Sequence, residues 1–243
     1  MMRNKFSSAL MLVALAAMLT GCQAKKEGDN IQNEEALVHK SVKSLKAKRY
    51  SSALDPLRKL NQDYTTSPNA QGYRLELISA EYQAGEYENA AATANQFIVM
   101  YPHEKYVDYA LYMKSLSLYS SYGDWSPVKL KFSLPGKDPK PLHEADQALE
   151  ILIKKFPTSR YFYQATKLQA TIRESIAQRD FDIANHYFAR HAYLASLERL
   201  NLVIETSQND SLIKNSLKLM QQNYSKLHVN DMQAKMEALI AAN

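Results

Sequence analysis

Six histidines, one cysteine and scattered carboxylates are the side chains of this 243-residue chain that could do chemistry. The histidines are His39, His103, His143, His186, His191 and His228. A helical zinc hydrolase needs two histidines four residues apart, with a glutamate between them as base. His143-Glu144 has no such second histidine, and His186 and His191 stand five apart, on diverging helix faces. No G-x-S-x-G elbow is present, nor any G-x-G-x-x-G or G-x-x-x-x-G-K-[ST] phosphate loop. Asp180 and Asp182 could pair for acid–base work, but as neighbours on a helix they read as surface charges. The expectation is a protein without metal or catalytic centre.

Cys22, the only cysteine, has a different chemistry open to it. Arg3 and Lys5 precede a 14-residue apolar run, Phe6 to Leu19, which has the length of a signal-peptide core and is short for a membrane span. The run closes as Leu19-Thr20-Gly21-Cys22, similar to the bacterial lipobox. That similarity implies a signal peptide over 1–21, cleavage before Cys22, and a lipid on its sulfur. A single cysteine in an exported chain has no disulfide partner, which agrees. The covalent lipid is the only cofactor expected. Gln23 rather than Asp follows the cysteine, which implies the outer membrane of a Gram-negative cell, facing the periplasm. Residues 22–33 are polar and unpatterned and are expected to form a tether.

Sixteen tyrosines remain. Tyr50, Tyr87 and Tyr101 recur at fixed places in a repeat and read as packing residues. Tyr73, Tyr106, Tyr109, Tyr112, Tyr161 and Tyr163 fall near the starts of helices that would line a groove. A phenol offers a broad apolar face with a polar tip, which suits peptide recognition. For these six, groove lining and core packing both fit.

The elements that would position them follow from composition. Ala and Leu total 58 residues against 19 Val and Ile, no glycine follows Gly136, and no proline follows Pro157. Such a chain favours helix throughout. Tyr50-x-x-Ala53 precedes Tyr64, Tyr87-x-x-Ala90 precedes Tyr101-Pro102, and Leu142-x-x-Ala145 precedes Phe156-Pro157, the second site 11 residues beyond the alanine in each case. Tyr193-x-x-Ser196 with Ser207 is a weaker copy. Together with Leu77, Ala80, Tyr82 and Gly85-Glu86-Tyr87, these residues resemble the tetratricopeptide (TPR) repeat. The fold expected is all-α, a TPR-like superhelix of about five helix pairs near 34–64, 70–101, 107–156, 160–207 and 210–242. The period is uneven: successive units are 37, 55 and 51 residues apart. The first excess falls in Ser120 to Pro141, with four prolines and two glycines, and predicts a loop. The second, Tyr161 to Arg190, has no breaker and predicts one helix of about 45 Å bracing the two halves. The organisation is thus an α-solenoid over 34–243, with N-terminal repeats 34–118, an insertion 119–141 and C-terminal repeats 142–243.

Charge argues against nucleic acid. Without the signal segment the chain has 28 basic and 25 acidic residues, a weak footprint for phosphate binding. The densest basic stretch is Lys40, Lys43, Lys46, Lys48 and Arg49. A solvated helix face, anionic lipid headgroups and an acidic partner all fit it.

Two stretches carry a closer resemblance: Tyr101-Pro-His-Glu-Lys-Tyr-Val-Asp-Tyr-Ala-Leu-Tyr-Met113, and Phe156-Pro-Thr-Ser-Arg-Tyr161 running on to Ala165-Thr-Lys167. The mature chain resembles the BamD family, TPR lipoproteins of the outer-membrane β-barrel assembly (BAM) machine. Tyr64-Thr65 departs from the family's Tyr-Pro, and Ser133-Leu-Pro-Gly-Lys137 replaces charged residues. The resemblance implies a scaffold for the POTRA domain of the barrel-forming subunit, with Arg199 and Asp138 as partner contacts. It also implies a receiver of unfolded outer-membrane protein precursors, with other lipoproteins possible in the complex. A periplasmic TPR lipoprotein that scaffolds peptidoglycan enzymes or pilus and secretin assembly is the alternative.

Overall fold

The computed structural model describes residues 32–123 and 138–242. The signal segment, Cys22, most of the tether and residues 124–137 of the insertion lie outside the described residues. Among the described residues all regular structure is helical. Helix α1 covers 32–46. There follow α2 (Tyr50–Asp63), α3 (Ala70–Gln83), α4 (Tyr87–Met100), α5 (Val107–Tyr122), α6 (Lys140–Lys155), α7 (Phe162–Ala189), α8 (Tyr193–Thr206), α9 (Asp210–Lys226) and α10 (Asn230–Ala242). Their bounds match the five pairs that the repeat spacing predicts, so the chain has an all-α helical-repeat fold.

Each helix shows why its residues chose it. In α6, Leu142, Ala145, Leu149 and Leu152 recur at helical spacing and are all buried. Pro141 sits in the first turn, where its missing N–H is no loss, and Lys154 and Lys155 face the carbonyl end. Pro157 forces the preceding residue, Phe156, out of the helical region and stops the helix. Each fully buried leucine contributes roughly 1.5–3 kcal/mol. Truncating Leu149 to alanine would cost about 2–5 kcal/mol, because the site cannot fully collapse. Helix α2 carries Pro56 within it and still continues, with Pro56 buried beside Leu57 and Leu60.

The first helix of every pair ends in the same way. Lys48, Gly85, Gly123, His191 and His228 all have positive φ, between 54° and 84°. In four of these turns the next amide donates back five residues, as Arg49 N to Ser44 O (3.0 Å), Glu86 N to Glu81 O (2.9 Å), Ala192 N to Tyr187 O (3.0 Å) and Val229 N to Tyr224 O (3.0 Å). This left-handed cap turns the chain sharply while satisfying the last carbonyls.

The chain divides into two units, Met1–Glu86 and Tyr87–Asn243. In the first, α2 and α3 bury Ala53, Leu54, Leu57, Leu60, Tyr64, Tyr73, Leu77 and Ala80, and Leu37, Val38 and Leu45 of α1 pack against them. In the second, consecutive helices pack from α4 to α10. Small residues bring α5 and α6 close: the buried Ser115 Oγ lies 3.0 Å from both Leu111 O and Ala145 O, sharing one proton between them. Helix α7, 28 residues and about 42 Å long, runs along α6 and α8 and also meets α5 and α9. Arg173 of α7 binds Asp146 of α6 with two hydrogen bonds, Nε to Oδ1 at 2.7 Å and Nη2 to Oδ2 at 3.3 Å. That hydrogen bond raises the Arg173 pKa despite partial desolvation. No helix among the described residues is long and apolar enough to cross a membrane.

Candidate functional site: an aromatic face and a clamped arginine

Within the second unit, the start of α5 and the turn before α7 converge. Ser159 Oγ donates to Asp108 Oδ2 at 2.6 Å across 51 residues of sequence. Ser159 Oγ also accepts from the Tyr161 amide at 3.0 Å, which fixes the entry into α7. The tie sets three rings together. Tyr161 stacks on Tyr112, with centroids 5.3 Å apart and planes at 15°, and meets Tyr109 at 5.6 Å and 45°. These separations are favourable for aromatic pairs. The Arg160 guanidinium lies 4.7 Å from the Tyr161 centroid and donates to its phenol oxygen, and that hydrogen bond raises the Arg160 pKa. Lys105 lies 5.5 Å from the ring of Tyr106.

Five of the six tyrosines expected to line a groove therefore sit around these two helix starts. Tyr109, Tyr112 and Tyr161 form the half-buried cluster, while Tyr106 and Tyr163 are 43% and 74% exposed. Tyr73 is the exception. It is buried in the core of the first unit and donates from its hydroxyl to Glu34 Oε1 at 2.7 Å, so it lines no groove. Its position in α3 puts its ring on the face that packs against α2. Desolvation, with the Glu34 contact behind it, raises its pKa.

Arg199, on α8, donates from Nη1 to Asp180 Oδ1 of α7 at 3.0 Å. The Asp180 side chain is 9% exposed and that of Arg199 is 38% exposed. Asp180 is thus a buried anchor that holds Arg199, and not the surface charge its spacing from Asp182 suggests. A guanidinium has five N–H donors, so Asp180 leaves Arg199 with capacity for an acceptor from outside. Asp138 is exposed and accepts from the Lys140 amide at 3.0 Å, capping the entry to α6. Sequence reasoning gave Ser159 and Arg160 no role and read Asp180 as a surface charge, because each acts on a residue of another turn or helix or on the face of a ring.

What these places offer chemically is ring faces beside cations. Aromatic faces beside guanidinium and ammonium groups bind apolar and acidic parts of a polypeptide. No cluster of three or more metal-ligating side chains occurs among the described residues.

The family described as "YfiO: Outer membrane lipoprotein" matches residues 31–239. The chain belongs to this family. Its relatives include the protein named outer membrane protein assembly factor BamD from Neisseria gonorrhoeae, 27% identical over 95% of this chain and 87% of the relative. The BamD protein of Pasteurella multocida is 26% identical over 99% and 92%. Among solved structures, a tetratricopeptide repeat protein from Parabacteroides merdae aligns with a TM-score of 0.41 at 13% identity, covering 87% of this chain and 80% of its own.

Proposed function

We propose that this family member is a non-catalytic assembly factor for outer-membrane β-barrel proteins, anchored by lipid on Cys22 and facing the periplasm. Signal cleavage after residue 21 and a tether over 22–33 belong to the same reading. The observation that carries it is the nearly full-length match to proteins named assembly factor BamD. The aromatic face supports a receiving role. With no strand among the described residues, an incoming chain is held by side chains and not by strand addition. Tyr109, Tyr112 and Tyr161 are already fixed against one another, so little entropy is lost when a segment docks on them. The second surface centres on Arg199, and we assign it to the POTRA domain of the barrel-forming subunit. Asp138 is placed as a further partner contact beside the insertion. Anchoring in the membrane plane raises the effective concentration of the scaffold for handover.

Depletion tests the proposal. Outer-membrane β-barrel proteins are expected to fall generally, and purification of the chain is expected to recover a POTRA-containing barrel protein. Normal barrel levels with a cell-wall or pilus defect, or recovery of murein enzymes alone, refute it.

A further inference from the structure

Helix α1 carries a surface that assembly-factor chemistry does not require. From Ala36 to Leu54 the sequence has no acidic residue, yet it holds Lys40, Lys43, Lys46, Lys48, Arg49 and His39. All six are exposed. At 100° per residue, His39, Lys43 and Lys46 fall on one line of α1, which the exposed Glu35 shares one turn nearer its start, with Lys40 at its edge and Lys48 and Arg49 at its end. The opposite side is spoken for: Leu37, Val38 and Leu45 pack on the core, and Glu34 turns inward to Ser67 (2.6 Å) and Tyr73 (2.7 Å). None of the five Lys and Arg residues forms an ion pair among the described residues, although other exposed lysines do, as Lys154 with Glu150 and Lys140 with Glu144. A surface helix that is merely solvated mixes both signs along its length, whereas here the exposed acid, Glu35, stands at the start and only cations follow it. The favourable effect of cations at a helix C-terminus accounts for Lys43, Lys46, Lys48 and Arg49 but does not reach Lys40 or call for His39 beside them.

We infer that this face of α1 lies on the anionic headgroups of the bilayer that holds the anchor. The inference rests on the reading of Cys22 as the lipidated residue. Ten residue steps separate Cys22 from Gln32, and they span at most about 36 Å when fully extended. Helix α1 adds about 22 Å. The basic face is therefore always within reach of the surface. Each cation that comes within a Debye length of an anionic leaflet favours contact about fivefold, which corresponds to roughly 1 kcal/mol. Four or five together overcome the freedom lost when the first unit settles on the bilayer. The lipid thus sets where the chain is, and α1 sets which way the first unit faces.

The test is lysine acetylation of the full lipidated chain on vesicles, read peptide by peptide by mass spectrometry. Vesicles of phosphatidylcholine with about 30% phosphatidylglycerol are compared with phosphatidylcholine alone, at roughly 0.05 M and 0.5 M salt. Lys40, Lys43, Lys46 and Lys48 are expected to react at least about fivefold more slowly on the anionic vesicles at low salt, while Lys218 and Lys235 do not change. High salt should abolish the difference. Lys40→Gln with Lys43→Gln and Lys46→Gln should abolish protection of Lys48. Equal rates on both vesicles overturn the proposal, as does protection that appears only when an acidic polypeptide is added. Release of the chain from vesicles by high salt refutes the anchor instead, and the low-salt rates still decide the basic face.

Discussion

Arg199 holds Asp180 in the fold and is proposed to contact a partner, and a pair of substitutions separates the two roles. Its guanidinium holds the Asp180 carboxylate at 3.0 Å, and the carboxylate is 9% exposed. Arg199→Ala leaves that charge nearly buried without its cation. A hydrogen bond to a charged group is worth about 1.5–3 kcal/mol. Arg199 itself is 38% exposed, so solvent screening brings the figure to about 1–2 kcal/mol. For a unit of this size that lowers the melting temperature by roughly 3–6 °C. Asp180→Asn costs less, about 0.5 kcal/mol, since an amide oxygen still accepts from Arg199 and water still solvates the guanidinium. In the double variant no buried charge is left unpaired, and stability returns to within about 0.5–1 kcal/mol of the parent.

Binding of the POTRA-containing subunit should not follow that pattern. If Arg199 makes the partner contact, the single variant Arg199→Ala and the double variant both lose affinity by roughly tenfold or more, while Asp180→Asn keeps it. Urea melts read the stability of all four proteins, and titration with the isolated POTRA domain reads the binding. Losses that simply add in the double variant would refute the ion-pair reasoning. Recovery of binding alongside stability would show that Arg199 serves only the fold.

Three further outcomes are expected. The two described glycines of the first unit should respond with opposite sign: a Cβ at either meets nothing within 4 Å, but Gly85 has φ +81°. Gly85→Ala should therefore destabilise by about 1–2 kcal/mol and Gly72→Ala, in the first turn of α3, should stabilise by about 0.5 kcal/mol, as read by urea midpoints at constant slope. Tyr73 has a raised pKa in the fold, so its contribution to stability is whole below about pH 10 and is lost as pH climbs through the higher folded value. Tyr73→Phe should flatten that alkaline limb in melts taken across the range, and an unchanged limb would exclude Tyr73 as its source. Tyr161→Ala removes both ring contacts and should weaken capture of an unfolded barrel precursor by about fivefold to tenfold, with Tyr163→Ala, on the exposed rim, giving a smaller loss in the same fluorescence titration.

Four of the five helix pairs are legible in the sequence because each is marked twice, by an alanine or serine where helices approach and by a proline or polar turn where the second helix stops. The turns between partners are only partly legible. Gly85 and Gly123 announce left-handed caps, while Lys48, His191 and His228 adopt the same conformation without any such sign. There the hydrogen bond back to the helix outweighs the strain at a side-chain-bearing residue. Asp180 shows the limit most clearly. Its neighbour Asp182 is visible in sequence, but its partner Arg199 lies on the next helix, and only packing brings the two together. Tyr73 and Tyr109 likewise stand at similar places near the starts of α3 and α5, yet one is in the core and the other on a face. No periodicity separates them, because the difference lies in what the neighbouring helix offers: the α2 core with Glu34 for Tyr73, and the turn carrying Tyr161 for Tyr109.

The two stretches that carry the family resemblance, 101–113 and 156–167, are far apart in sequence and are one place in space. Asp108 of the first accepts from Ser159 of the second, and Tyr109 and Tyr112 of the first meet Tyr161 of the second. A structural explanation of both stretches would need only the polar tie, since it closes the α5–α7 approach whatever rings lie beside it. The three half-buried phenols meet across the same approach, with an arginine over the third, so packing and binding both fit them. Alanine at 109, 112 and 161 with the Asp108–Ser159 tie intact therefore isolates the rings' purpose. A chain that folds with the parental helix content and melting behaviour, but fails to hold an unfolded precursor, makes the rings a binding surface. One that folds and still captures places recognition elsewhere on the helical stack.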